Sequence, residues 1–472
     1  MIFDNLRDVP KENGIVIIGG GPAGISIALE LEKKGISSTI FEAGDLEFNE
    51  KSQILYKGNT FGDEYPDLSI SRLRQFGGTS GHWGGNCLEL DEYDFKNWPI
   101  SKKDLNNFRS DSYKILNIKG NFYKKKFNEN LNTFNLNWSN VRFKKKYFKK
   151  IRNSKKIRLI LNCPLIMMEG KNGVINEAIF FKGEKKKISG KYFVLATGGI
   201  ENSRILLWIK KNNPNLLDDR MPIGKYWMDH PYHSVADGIL FKLNFNNYLI
   251  KKNIKQVIQT ECRYSFYFSP QKNFLEDQNI VNTSINIGLH DPKKSKNSFL
   301  NKLKCVAPNI LNEKIFPNTY DDHYEISVSL LSDQKPSPEN KITLSNSIDT
   351  LGIPTANLFW KRSELIRTSS RIIIEDIAKF FVKENLGRLA INQFLYTDEN
   401  YIHENGYHHM GGTRMGNDIK TSVVDSNLKI HNTENLFVSG SPVFVSAGHA
   451  YPTLTIVQLS LRLADHISRL IK

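Results

Sequence analysis

The stretch Gly14-Ile15-Val16-Ile17-Ile18-Gly19-Gly20-Gly21-Pro22-Ala23-Gly24 sets the architecture of the first hundred residues. Gly14 to Ile18 is a short apolar run of three isoleucines and a valine, the composition of a strand buried on both faces. It enters a turn of the form G-x-G-x-x-G, with Gly19, Gly21 and Gly24 at the fixed positions and Ala23 just before the last. From Ile25 to Lys34 apolar residues recur at helical spacing, and Gly35 closes the helix. A second strand, Ser38 to Phe41, ends at Glu42. In such a unit the glycines allow a tight turn, close approach of a pyrophosphate to the backbone, and packing of helix on strand. The N–H groups and dipole at the helix start hold phosphate. Glu42 is positioned to accept hydrogen bonds from a ribose diol, and its charge disfavours the extra phosphate of NADP. Strand, helix, strand and terminal acid in this order predict dinucleotide binding.

A simple nicotinamide domain leaves the next glycine-rich stretch without a purpose. Arg72 to Asn86 holds five glycines within nine residues and reads as a loop lying against something flat. Its candidate cofactor contacts are Arg74, Gly77, Gly78, Thr79, His82, Trp83, Gly85 and Asn86. Tyr192 to Gly199 is a strand ending in a glycine turn, with Ala196, Thr197 and Gly198 as candidates, and Ile200 to Lys211 follows as an amphipathic helix. The end of the chain offers another strand, Asn435 to Val438, the turn Ser439-Gly440-Ser441, and a final helix beginning near Pro452.

Together these segments resemble the glucose-methanol-choline (GMC) oxidoreductase family, as does Gly224-Lys225-Tyr226-Trp227-Met228-Asp229-His230-Pro231. The resemblance implies an α/β fold: a Rossmann-type FAD-binding domain assembled from discontinuous segments plus an α+β substrate domain with an antiparallel sheet. The FAD part would comprise residues 1–95, 186–235 and 405–472, with 96–185 as a mixed connecting segment and 236–404 as the substrate domain. The pieces Pro336 to Leu344 and Asp349 to Pro354 look like the family's substrate-domain strands and hairpin; their alternating apolar pattern independently suggests antiparallel sheet. The implied cofactor is FAD, with Gly440, Ser441, Pro452 and Thr453 among its contacts. The implied reaction oxidises a primary or secondary CH–OH group to a carbonyl by hydride transfer to flavin N5. Oxygen, a quinone or another protein would accept the electrons.

The string Tyr407-His408-His409-Met410-Gly411-Gly412-Thr413-Arg414-Met415-Gly416 carries the candidate base. Hydride loss from an alcohol also requires removal of the hydroxyl proton, and imidazole is the side chain suited to take it near neutral pH. The family's pattern is H-x-x-G-T-x-x-M. Anchored on Met415 it selects His408, with Gly412 replacing the threonine. Slid by one it selects His409, with Met415 out of place. His408 is preferred, because the turn to Met415 would hold it. The family's second active-site residue, His or Asn, immediately precedes the last helix, where this chain reads Ser446-Ala447-Gly448-His449-Ala450-Tyr451-Pro452-Thr453-Leu454-Thr455. Tyr451 stands at that position. Either its hydroxyl serves the substrate oxygen, or His449 takes the role, or activity is lost. The start of the final helix would aim its positive end at the flavin's pyrimidine edge. His82-Trp83 after two glycines is similar to the pyranose oxidase-like sugar oxidoreductases, which makes His82 a candidate covalent attachment site for FAD and a sugar a candidate substrate.

No metal site is expected: His408 and His409 are adjacent, and His230 and His233 flank Pro231 without further ligands. Four separated cysteines, Cys87, Cys163, Cys262 and Cys305, read as core thiols. A length of 472 residues makes two domains the prior, and 40% hydrophobic with 24% charged residues describes a soluble globular chain. The net charge of +16 is spread through short runs such as Lys124-Lys125-Lys126 rather than one stripe, so no nucleic-acid partner is expected. Met1 to Asn13 has no apolar segment of secretory type, and the cytoplasm is the expected compartment. Two other readings compete. An NAD-dependent dehydrogenase leaves the loop over residues 77–85 and the terminal motif unexplained, and a flavin-binding protein without turnover is motivated by Tyr451.

Overall fold

The computed structural model describes residues 1–252, 257–260, 263–290, 323–397 and 404–471. Strand β1 (Glu12–Ile18) is driven inward by its isoleucines, and Ile15, Val16 and Ile17 have no exposed surface. It passes through the glycine turn into α1 (Pro22–Lys33), where Pro22 occupies the first turn, a place in which its missing N–H costs nothing. Strand β2 (Ser38–Phe41) returns parallel to β1, with Val16 opposite Thr39 and Ile18 opposite Phe41. On its other side β1 pairs in parallel with β3 (Glu184–Leu195), which leads into α2 (Glu201–Asn212). The strands at 157–160 and 2–3 extend the sheet beyond β2 in parallel, and 174–182 and 165–171 extend it antiparallel beyond β3.

Among the described residues the second large sheet has nine strands, and every pairing in it is antiparallel. Its centre is β4 (Pro231–Phe241), β5 (Arg263–Pro270), β6 (Thr283–His290) and β7 (His323–Ser332). The period-2 alternation is plain here. Phe266, Phe268, Ile285, Ile287, Val328 and Leu330 belong to a core completed by Ile373, Ile374, Ile377 and Phe381 of the helix over 364–383. Tyr267, Ser284, Asn286, Ser329 and Leu331 point to the opposite face.

The chain then returns to the first sheet. β8 (Leu436–Val438) lies parallel to the C-terminal end of β3, and α3 (Pro452–Ile471) packs along α1. Both flank one core that runs from Leu6 to Ile467.

Of the two pieces expected as substrate-domain strands and hairpin, Pro336 to Leu344 runs into a strand at 341–348, while Asp349 to Pro354 is the turn that leads into its antiparallel partner at 354–360. The two strands sit in a separate three-stranded sheet, where the third strand is Gly58–Gly62 and the core includes Tyr65, Ile200, Trp227 and Trp360. Alternation predicts a strand, but it carries no information about a partner nearly three hundred residues away. Cys87 and Cys163 are buried thiols whose ionisation burial pushes up to about 12. Cys262 and Cys305 lie outside the described residues. No helix among the described residues is long and apolar enough to cross a membrane.

Candidate active site

Both large sheets contribute walls to one cavity of about 900 Å³. That is near the top of the roughly 300–1,000 Å³ range of small-molecule sites. Four glycine turns from remote parts of the chain, at Gly19–Gly21, Gly78, Gly198–Gly199 and Gly440, line one side. Gly19 has φ of +106°, and a Cβ on it would stand 2.5 Å from the carbonyl oxygen of Ala196, so only glycine lets the first and third turns touch. Gly78, at φ +55°, lies so close that its Cβ would meet Gly21 Cα at 3.1 Å. Gly77 N–H donates to the Gly20 carbonyl at 2.8 Å, which clamps the second turn on the first. The loop after it is pinned from 138–143, where Trp83 Nε1 donates to Val141 O at 2.8 Å and Trp138 Nε1 to Gly84 O at 2.7 Å.

Glu42 reaches the same wall. Its two carboxylate oxygens accept from Gly20 N–H and Gly44 N–H, each at 2.7 Å, and burial pushes its ionisation up from the ordinary carboxylate range. Each oxygen keeps a second lone pair for a ribose hydroxyl. Sequence reading missed a buried charge network beside it. Arg204 pairs with Glu201 at 2.8 Å and with Asp349, while Arg72 stacks over Tyr56 at 4.0 Å and stands 3.8 Å from Glu201. Arg72 Nη1 has no hydrogen-bond partner among the described residues. These features fit a dinucleotide cofactor: backbone cradles that a Cβ would fill, a carboxylate at the end of β2, and unspent arginine donors.

His408 and His409 stand where the 407–416 segment crosses from one sheet to the other. Gly411 (φ +72°) and Gly412 (φ +86°) turn the chain so tightly that side chains there would strike Tyr226 O at 2.1 Å and Ser203 Oγ at 2.4 Å. Met415 N–H then anchors the turn on Val443 O at 2.9 Å. Ser441 Oγ donates to the His409 carbonyl at 2.6 Å. One carboxylate organises the other end: Asp229 Oδ1 accepts from the backbone N–H of His408 and of His230, both at 2.7 Å, and Asp229 Oδ2 accepts from Tyr65 Oη at 2.6 Å. Burial raises Asp229 to about 6 despite these bonds.

The two adjacent histidines differ. His408 is half-buried and lines the cavity, its Nδ1 lies 2.7 Å from His230 Nδ1, and its ring meets the Tyr451 ring edge-on at 5.5 Å. His409 lies between Tyr65 and Trp227, and its Nε2 is sealed without a partner among the described residues. Burial holds both imidazoles down, His408 well below its ordinary value and His409 to about 3.

Of the residues singled out from sequence, the cavity wall includes Gly19, Gly21, Ala23, Glu42, Arg74, Gly78, Thr79, His82, Trp83, Gly85, Asn86, Ala196, Thr197, Gly198, His408, His409, Gly440, Ser441, Tyr451, Pro452 and Thr453. Gly24 and Gly77 lie just behind it. A Cβ on Gly24 would meet Gly19 O at 2.0 Å, the close contact of helix on strand. His449 is not in the wall. Its Nδ1 faces Asn282 at 3.0 Å and the carboxylates of Asp91 and Asp94 at 3.6 and 3.9 Å. His230 and His233 do not converge either, since His233 Nε2 bonds Ser370 Oγ at 3.0 Å on the other face of the sheet.

Residues 336–460 match the family model GMC oxidoreductase. The fructose dehydrogenase large subunit of Gluconobacter japonicus is 27% identical over 322 residues, covering 66% of this chain and 54% of that one. The chain spans about half the length of the curated relatives it matches. Among solved structures, pyridoxine 4-oxidase from Mesorbium loti is similar with a TM-score of 0.58 at 14% identity, over 96% of this chain and 99% of the other. Formate oxidase of Aspergillus oryzae RIB40, in a structure concerned with its FAD modification, gives 0.54 at 14% identity over 97% and 98%. The C-terminal match and the curated relative both make the chain similar to GMC oxidoreductases, and its fold is that of the solved pyridoxine 4-oxidase.

Proposed function

We propose that this chain binds FAD and oxidises a primary or secondary CH–OH group of a sugar or related polyol to a carbonyl. One observation carries the reading: a single cavity gathers four glycine turns, an imidazole and a wall of hydroxyl and amide groups. FAD, when bound, supplies the acceptor for the substrate's hydride. His408, neutral in its buried setting, takes the hydroxyl proton as the hydride leaves, so that a neutral carbonyl is released. Tyr451 keeps its proton, burial having pushed it up to about 12, and donates to the same substrate oxygen. Pro452 and Thr453 bring the positive end of α3 to the cavity, where it favours negative charge.

The antiparallel wall speaks for a polyhydroxylated substrate. Tyr232, Tyr267, Ser284, Asn286 and Ser329 face the cavity, and Asn286 Oδ1 has no hydrogen-bond partner among the described residues. A buried acceptor of this kind is unfavourable until a donor such as a sugar hydroxyl meets it. His82, at the exposed rim, is the attachment point if the flavin is covalently held. Oxygen, a quinone or another protein is the second substrate.

Anaerobic mixing of the FAD-loaded protein with a panel of sugars and alcohols tests this reading. Bleaching of the flavin absorbance is expected. A protein that binds no flavin, or one whose flavin no sugar or alcohol bleaches, contradicts it. Acid precipitation addresses His82: flavin in the pellet supports the bond, and flavin wholly in the supernatant rules it out.

A further inference from the structure

His230 is absent from the cavity wall, yet it touches the side chain that matters most there. Its Nε2 lies 2.9 Å from the carbonyl oxygen of Gly448. A carbonyl only accepts, so this nitrogen carries a hydrogen. Burial holds the His230 imidazole down to about 4, so at neutral pH the ring has a single N–H and its Nδ1 is bare. That bare nitrogen faces His408 Nδ1 at 2.7 Å, with the rings nearly perpendicular at 88°. Two ring nitrogens at this separation share one hydrogen, and it must belong to His408.

We infer that His230, oriented by the Gly448 carbonyl, fixes His408 in the tautomer that carries its hydrogen on Nδ1 and presents a bare Nε2 to the cavity. The backbone around this chain of contacts is held on every side. Asp229 accepts from the N–H of both histidines, and Gly448 N–H donates to Asp333 Oδ1 at 3.0 Å. Gly448 itself stands at φ +64°, where a side chain would strike Leu90 at 2.6 Å and Asp94 at 2.8 Å. The arrangement also serves after the proton arrives. His408 protonated on Nε2 keeps its Nδ1–H on the His230 lone pair, and the bond becomes charge-assisted. A neutral orienting group does this without placing a carboxylate against the ring, so the imidazole remains unprotonated before turnover. His230 is thus a positioning residue that acts through His408.

The inference rests on His408 as the base, and the two can fail separately. Histidine-selective ¹⁵N labelling of the FAD-loaded protein, with His408→Gln to assign the signals among its 11 histidines, reads the tautomer directly. Expected is a protonated-type shift for His408 Nδ1 and a bare-type shift for Nε2. In His230→Leu the His408 signals should leave that pattern, and flavin reduction should slow by about tenfold while KM changes by less than about twofold. Hydrogen on Nε2 of the unmutated protein overturns the proposal, as does an unaltered tautomer in a folded His230→Leu. Should that variant not fold, the unmutated protein decides alone. Undiminished flavin reduction in His408→Gln would remove the base assignment while leaving the tautomer result standing.

Discussion

The glycine-turn wall and the antiparallel wall of the cavity are built on opposite principles. On the first, backbone approaches backbone: Gly19 against Ala196, Gly21 against Gly78, Gly199 against the carbonyl of His409. Side chains there would only obstruct. On the second, side chains are the whole message, since a period-2 alternation sends Phe266, Ile285 and Val328 into one core and Tyr267, Asn286 and Ser329 toward the cavity. A wall made of backbone recognises what is common to dinucleotides, whereas a wall made of side chains distinguishes one substrate from another. His408 stands at the seam between them.

Changing each wall should therefore damage a different quantity. The largest effect is expected at the seam, where His408→Ala should slow flavin reduction by about 10²–10⁴-fold with FAD still bound, as measured by anaerobic stopped-flow. Next comes the backbone wall. Gly78→Ala forces a side chain into left-handed backbone at about 1–2 kcal/mol and against Gly21, so the FAD dissociation constant should rise about tenfold in a fluorescence titration. The side-chain wall responds in KM. Asn286→Leu should raise KM for a polyol about fivefold and leave FAD content unchanged, while an equal loss of flavin would blur the division between the walls.

The smallest effect concerns stability. His409 is held down to about 3, against about 6.5 for a free imidazole. As pH falls below about 6.5 the unfolded chain takes this proton first, so the folded state loses stability progressively down to about pH 3. His409→Gln removes that site. The drop in thermal midpoint between pH 7 and pH 4 should shrink by about 1–4 °C, and an unchanged drop would mean that His409 is not held neutral.

The backbone wall was also the more legible in sequence. Gly19 to Glu42, the 72–86 loop and the 192–199 turn are each complete within a short string, because strand, turn and helix are local events. The 407–416 and 446–455 strings likewise contain His408 and Tyr451, which the fold brings to the cavity wall. What stayed hidden depends on contacts across the chain. His230 was legible as part of a string and as half of an H-x-x-H pair, but not as a neighbour of His408, since that partner lies 178 residues away. The Arg72, Glu201, Arg204 and Asp349 network and the group of Asp91, Asp94 and His449 each contain one pair three residues apart, but the members that complete them come from remote parts of the chain. The strands at 341–348 and 354–360 were legible as strands but not as members of a third sheet.

Crystallography of the FAD-loaded protein tests most directly whether one cavity unites the two walls. The expected density puts the pyrophosphate on the turn from Gly19 to Gly24, the adenosine ribose at Glu42, and the flavin ring beside His408 and Tyr451. FAD bound elsewhere, or a flavin ring with both His408 and His409 out of reach, would contradict it.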